Sequence, residues 1–122
     1  MPTATLSIPP SVEHVRTARL VAAAAARRAG FDDASVDDIR LAVGEAVARA
    51  VLRHGSAELT ELVDVVITQD GPSFEVEVRD RSDASLPDED DGVSLALVSA
   101  LVPDSVHSGP SVRLRWRRDA PA

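Results

Sequence analysis

Asp37-Asp38-Ile39-Arg40-Leu41-Ala42-Val43-Gly44-Glu45-Ala46-Val47-Ala48-Arg49-Ala50-Val51-Leu52-Arg53-His54-Gly55 reads as one long amphipathic helix. Val36, Ile39, Val43, Ala46, Val47 and Ala50 recur at helical spacing and should face a core. Ser35, with Asp38 three residues on, forms a short variant of the capping box, so the helix is expected to begin after Ser35. Glu45 lies on the flank, just off the apolar stripe, and Arg49 shares that flank four residues later. Glu before Arg at this spacing is the favourable order for an ion pair. Taken alone, the pair reads as a surface salt bridge worth about 0.3–0.5 kcal/mol.

The rest of the chain supplies a sheet for this helix to lie on. Thr3 to Ile8 alternates weakly and suits an edge strand, ended by Pro9-Pro10. Ser11 is placed to cap a helix running to about Ala29, with Gly30 to stop it. Its expected inner stripe is Val15, Ala18, Ala22, Ala25 and Ala29, small residues that allow close approach. Leu62 to Thr68 is a β-branched run, Gly71-Pro72 marks a turn, and Phe74 to Asp80 alternates strictly, which predicts a hairpin. Residues 81–91 form an acidic, proline-containing loop, and Gly92 to Val102 predicts a short apolar helix stopped by Pro103. Two extended segments follow, and in the last Val112, Leu114 and Trp116 face one way and the arginines the other. Helices grouped with a mostly antiparallel sheet give an α+β, two-layer sandwich with the helices on one face.

The chain has 122 residues, enough for one domain spanning 1–122 and one core. Its formal net charge of -7 argues against a nucleic-acid-binding surface and favours a basic or neutral protein partner. The sign is uneven: residues 83–91 carry five acidic groups and no basic one, whereas 113–118 carries four arginines. The arginines at 113, 115, 117 and 118 suit the solvent face of an edge strand, where charge discourages aggregation. Without cysteine there is no disulfide, thiolate metal site or cysteine nucleophile to consider. His14, His54 and His107 lie far apart with no carboxylate pattern, so no metal site is expected. The longest apolar run, Leu20 to Ala26, is too short to span a membrane, and the expected location is the cytoplasm.

Two further positions could carry chemistry. Asp80 stands in phase with Phe74, Val76 and Val78 at the end of a buried stripe, where it could cap the next turn or accept a hydrogen bond from a ligand. Gly92 could open a helix whose backbone N–H groups face phosphate, although a plain helix start is the simpler account.

In this order and spacing, these segments resemble the GHKL ATPase superfamily, and within it the bacterial anti-sigma-factor serine kinases. The most specific piece is Leu41-Ala42-Val43-Gly44-Glu45-Ala46-Val47, followed by Gly92-Val93-Ser94-Leu95-Ala96-Leu97-Val98. The resemblance implies a fold of the Bergerat type. It would make Glu45 the general base that activates a substrate serine, and Asp80 the adenine-binding acid. Arg53 falls where such proteins often carry a basic residue.

The departures bear on the same positions. The family's helix reads Glu-x-x-x-Asn, and its asparagine holds the magnesium of ATP; here that position is Arg49. Ser82 and Ala84 stand where two glycines follow the strand-end aspartate, and Ser94 replaces the second glycine of the later helix start. A guanidinium four residues from Glu45 should pair with it and weaken it as a base. It would also repel magnesium, and the added side chains crowd the path of a nucleotide.

The expected function is therefore a degenerate partner-switching regulator that binds a sigma factor or a STAS-domain anti-anti-sigma protein, with no cofactor. The helix at Glu45–Arg53 and the 81–94 loop would form its docking surface, and since such proteins commonly dimerise, a homodimer is allowed. The alternative is an active serine kinase using ATP and magnesium. In a third possibility, Arg49 and Arg53 grip another anion.

Overall fold

A computed structural model describes residues 3–56, 62–79, 100, 102, 104–108 and 111–118. Strand β1 (Thr3–Ile8) leads through a 3-10 turn at Val12–His14 into helix α1 (Val15–Arg28) and helix α2 (Asp33–Ser56). Strands β2 (Val63–Asp70), β3 (Ser73–Arg79), β4 (Asp104–Ser108) and β5 (Ser111–Arg117) follow. The strands form one sheet in the order β1-β2-β3-β5-β4, each neighbouring pair antiparallel. The α+β sandwich is thus as expected. The predicted Gly92–Val102 helix and the 81–91 loop lie outside the described residues, apart from helical Ala100 and buried Val102.

The β2–β3 hairpin is closed by Gly71-Pro72. Gly71 adopts φ +56, and the Pro72 ring fixes a negative φ, so only the first turn position can be left-handed. That pattern suits the right-handed twist of a hairpin. Inward-facing Val63, Val65, Ile67, Phe74, Val76, Val78, Val112, Leu114 and Trp116 are all at most 5% exposed, and they form the floor on which both helices rest. Phe31 meets Phe74 edge-on and Phe74 meets Trp116 at a tilt, with ring centroids 5.7 and 6.4 Å apart. Buried Trp116 leaves its indole N–H without a hydrogen-bond partner among the described residues.

Both helix starts differ from the expected ones. Ser11 makes no side-chain cap; its hydroxyl meets Glu13 instead, and the chain completes a 3-10 turn before α1 begins. The second helix starts earlier than Ser35, because the Asp32 carboxylate accepts the Ser35 N–H at 2.8 Å and caps it. That backbone hydrogen bond holds the Asp32 carboxyl below its ordinary range, while Asp38 stays exposed on the helix surface. The inner face of α1 is also turned slightly: Ala18, Ala22, Ala23 and Ala26 are buried, but Val15 and Ala25 only partly so.

The arginines of the last strand correct a further expectation. β5 lies between β3 and β4, so its arginines do not guard an edge. Glu75 stands opposite Arg115 and Glu77 opposite Arg113 across the strands, with ion pairs of 3.1 and 3.2 Å. Arg79 and the Ser111 hydroxyl also hydrogen-bond Glu77. Arg118 leaves this face altogether. Its Nη1 donates to the Ala29 carbonyl at 2.8 Å and satisfies an end group of α1. Gly30, at φ +92, has no Cβ to obstruct that guanidinium.

Burial pushes the Glu77 carboxyl up, but hydrogen bonds from Arg79, Ser111 and Arg113, with the Arg79 charge, together hold it below the usual range. A depressed folded-state value means stability that is present above about pH 4.3 and lost as pH falls through the folded value. Glu77→Gln should therefore lower unfolding free energy by about 1–3 kcal/mol at neutral pH. In urea titrations followed by Trp116 fluorescence, the gap from wild type should shrink as the pH is lowered below about 4. A gap that stays constant down to pH 3 would remove the charge from this account.

Candidate functional site

The row Ala42, Ala46, Arg49 and Arg53 runs down one side of α2 at spacings of four, three and four, so its members share a helix face. All four are buried. Arg49 is 3% exposed and Arg53 7%, and both side chains make polar or electrostatic contacts. Glu45 sits beside this row and is half-exposed. No ion pair or hydrogen bond joins Glu45 to Arg49 among the described residues. The expected surface salt bridge is thus corrected: Arg49 turns inward, and the adjacent carboxylate is left toward solvent.

This places two guanidinium stems one helical turn apart inside the protein. Taking a cation out of water costs several kcal/mol unless other groups compensate it. Arg49 is therefore a structural commitment of the fold and a poor candidate for a mobile surface charge. Arginine has five donors and no acceptor, so it offers no oxygen to a magnesium ion, which requires an octahedral oxygen shell. A magnesium–nucleotide complex does not fit the chemistry of this position. Among the described residues, no cluster of three histidines or acids could hold a metal ion. The structure thus brings Glu45, Arg49 and Arg53 together on α2, whereas the predicted site residues Asp80, Gly92 and Ser94 lie outside the described residues.

Sequence reasoning missed a second feature on the outer face of the helical layer. Arg16, Arg19 and Leu20 from α1 and Asp37, Arg40 and Leu41 from α2 line an open depression of ≈620 Å³. Leu20 and Leu41 are 54% and 50% exposed. Arg40 is paired with Asp37 at 3.0 Å, so three cations and one anion leave the depression at +2 in a chain of net charge -7. The signal was present in the sequence as two leucines off the apolar stripes, each beside arginines. It became meaningful only once the two helices lay side by side.

Residues 8–116 match the histidine kinase-like ATPase domain family. The chain is 27% identical over 117 residues to the serine-protein kinase RsbW of Oceanobacillus iheyensis, covering 81% of this chain and 74% of that protein. It is 31% identical over 87 residues to the serine-protein kinase RsbW of Listeria monocytogenes serotype 4a, covering 62% of this chain and 55% of that protein. Among solved structures, the RsbU and RsbW domains of a Mycobacterium tuberculosis protein match with a TM-score of 0.78 at 22% identity. That match covers the whole of this chain and 34% of the other, and it supports the fold alone.

The contrasting environments of neighbouring residues give a direct test. Arg49→Ala should cost about 2–4 kcal/mol, because it removes buried stem packing and strands the groups that compensate the charge. Glu45→Ala should change stability by no more than about 0.5 kcal/mol. Urea unfolding monitored at Trp116 measures both, and equal costs would contradict the inward placement of Arg49.

Proposed function

We propose that this chain, which belongs to the histidine kinase-like ATPase domain family, is a partner-switching regulator of the anti-sigma type that does not turn over ATP. Its partners would be a sigma factor, a STAS-domain anti-anti-sigma protein, or both in alternation, in the cytoplasm. The similarity to RsbW serine kinases supports the general role. The observation that carries the loss of catalysis is buried Arg49, one turn from Glu45, at the position where the resembled helix has its magnesium-holding asparagine. Glu45 remains in place as a carboxylate, but a general base is of no use without a phosphoryl donor held beside it.

A regulator without chemistry needs a surface whose binding can be exchanged. The rim of Arg16, Arg19 and Arg40 around Leu20 and Leu41 supplies one, in addition to the α2 segment at Glu45–Arg53. Apolar side chains ringed by arginine are typical of residues that anchor an interface. The basic rim on an acidic chain would also steer an acidic partner toward this face.

Calorimetric titration of ATP with magnesium into the wild-type protein should give no binding heat, and Arg49→Asn should gain measurable affinity. Micromolar binding by wild type would restore the active-kinase alternative, and transfer of phosphate from ATP to a STAS-domain serine would establish it. For the partner, Arg16→Glu with Leu41→Asp should weaken binding of a sigma factor or STAS protein from the same organism by at least about tenfold. Failure of the wild-type chain to bind either class would sink the regulatory proposal.

A further inference from the structure

Among the described residues, strand β1 forms one edge of the sheet and is bonded only to β2. Proteins usually guard such edges with charge, proline, a bulge or shortness. The opposite edge, β4, is five residues long and carries Asp104, which is ion-paired to Arg115. Prolines flank β1 at Pro2 and Pro9-Pro10, but the strand itself carries no charge, proline or bulge. Thr3-Ala4-Thr5-Leu6-Ser7-Ile8 contains no charge and no proline, and all six residues keep an unbroken register with β2. Half of its backbone N–H and C=O groups therefore point outward with no strand among the described residues to receive them.

The side of β1 that faces the helices is also incompletely covered. Ala4, Leu6 and Ile8 alternate onto that side, yet only Ile8 is fully buried; Leu6 is half-buried and Ala4 exposed. The cause lies in α1, whose residues over this end are alanines too short to close the gap. What remains is a cleft of ≈340 Å³ between β1 and the C-terminal half of α1. Its apolar walls are Ala4, Ala25, Ile67 and Phe74, and among the described residues Arg28 is the one charged group lining it. Arg28 is exposed and makes no ion pair or side-chain hydrogen bond among the described residues.

We propose that the β1 edge and this cleft together form a docking groove for an extended acidic peptide of a protein partner. The peptide adds as a further strand through backbone hydrogen bonds to β1. Its alternate side chains fall on the helix side of the sheet, where one apolar group covers exposed Ala4 at the mouth of the cleft. A carboxylate two residues along, on the same side, then reaches the Arg28 guanidinium, which selects acidic over basic sequences. A second copy of the chain meets these requirements less well, because a second β1 is neutral and leaves Arg28 uncompensated. The groove is independent of the nucleotide question and of the regulatory role proposed above.

The test is an NMR titration of the full ¹⁵N-labelled chain with the acetylated and amidated peptide Thr-Leu-Thr-Asp-Thr, in which Leu and Asp share one face, and with a control carrying Lys in place of Asp. Binding of the acidic peptide below about 1 mM is expected, with shifts confined to residues 3–8 and 25–28 and to the adjoining cleft residues Ile67, Gln69 and Phe74. Arg28→Glu should weaken it by about fivefold or more, and the Lys peptide should not bind the wild type. Ala25→Phe, which fills the cleft, should abolish binding; should that variant misfold, the exposed Arg28→Glu decides alone. Absence of shifts, shifts elsewhere, or an unchanged affinity in Arg28→Glu would overturn the proposal. So would sedimentation showing a dimer whose β1 amides are protected from exchange, since the edge would then be closed by a second copy.

Discussion

Everything in this fold depends on how α2 lies on the inner face of the sheet. Val36, Ile39, Val43 and Val47 are fully buried, and α2 packs against α1, β2 and β3. At 100° per residue, the burial of that stripe fixes the direction of every other side chain on the helix. Ala42 and Ala46 come against neighbouring structure, and Arg49 and Arg53, in the same row, are carried inside with them. Glu45 is left on the flank. A helix rotated by one residue would expose the arginines and lose the valines, so packing energy settles where the charges go.

The same economy of small side chains sets the character of α1. Ala18, Ala22, Ala23 and Ala26 let it approach α2 closely, and Gly44 leaves room for the Arg19 stem to cross. Alanine cannot also reach outward to cover a sheet, so β1 is left overhanging its end. The tight helix pair and the open cleft are two results of one composition.

The two faces of the sheet use opposite physics. Inside, Val, Ile, Leu, Phe and Trp exclude water. Outside, Glu75 and Glu77 are held by cross-strand arginines, an arrangement that balances charge locally in a chain with a net surplus of acid. Little of this bears on catalysis. The family supplies the scaffold, and chemistry would need specific groups grafted on it. A guanidinium in place of an oxygen ligand would change the site and leave the scaffold intact. The chain accordingly matches the histidine kinase-like ATPase domain family across residues 8–116.

Most of the architecture was legible in the chain, because hydrophobic periodicity is a local property. The period of 3.6 in residues 36–50 and the period of 2 in residues 74–78 and 112–116 gave both element types, and Gly71-Pro72 gave the hairpin. Helix starts were less legible, since several side chains could compete to cap one turn and Asp32 won over the Ser35–Asp38 pair. Beyond the hairpin and the edge position of β1, strand order was not legible. The pairing of β5 with β3 made Arg113 and Arg115 partners of Glu77 and Glu75, although more than 30 residues separate them in sequence. The inward turn of Arg49 was hidden for the same reason: an arginine beside a glutamate reads as a surface pair until the opposing wall is known. The sequence by itself determined which segments are helix or strand and which face of each is apolar, because those follow from neighbours along the chain. Only the tertiary structure decided which charges are buried, which edge is open and where Arg118 ends, because those depend on surfaces brought together from distant parts of the chain.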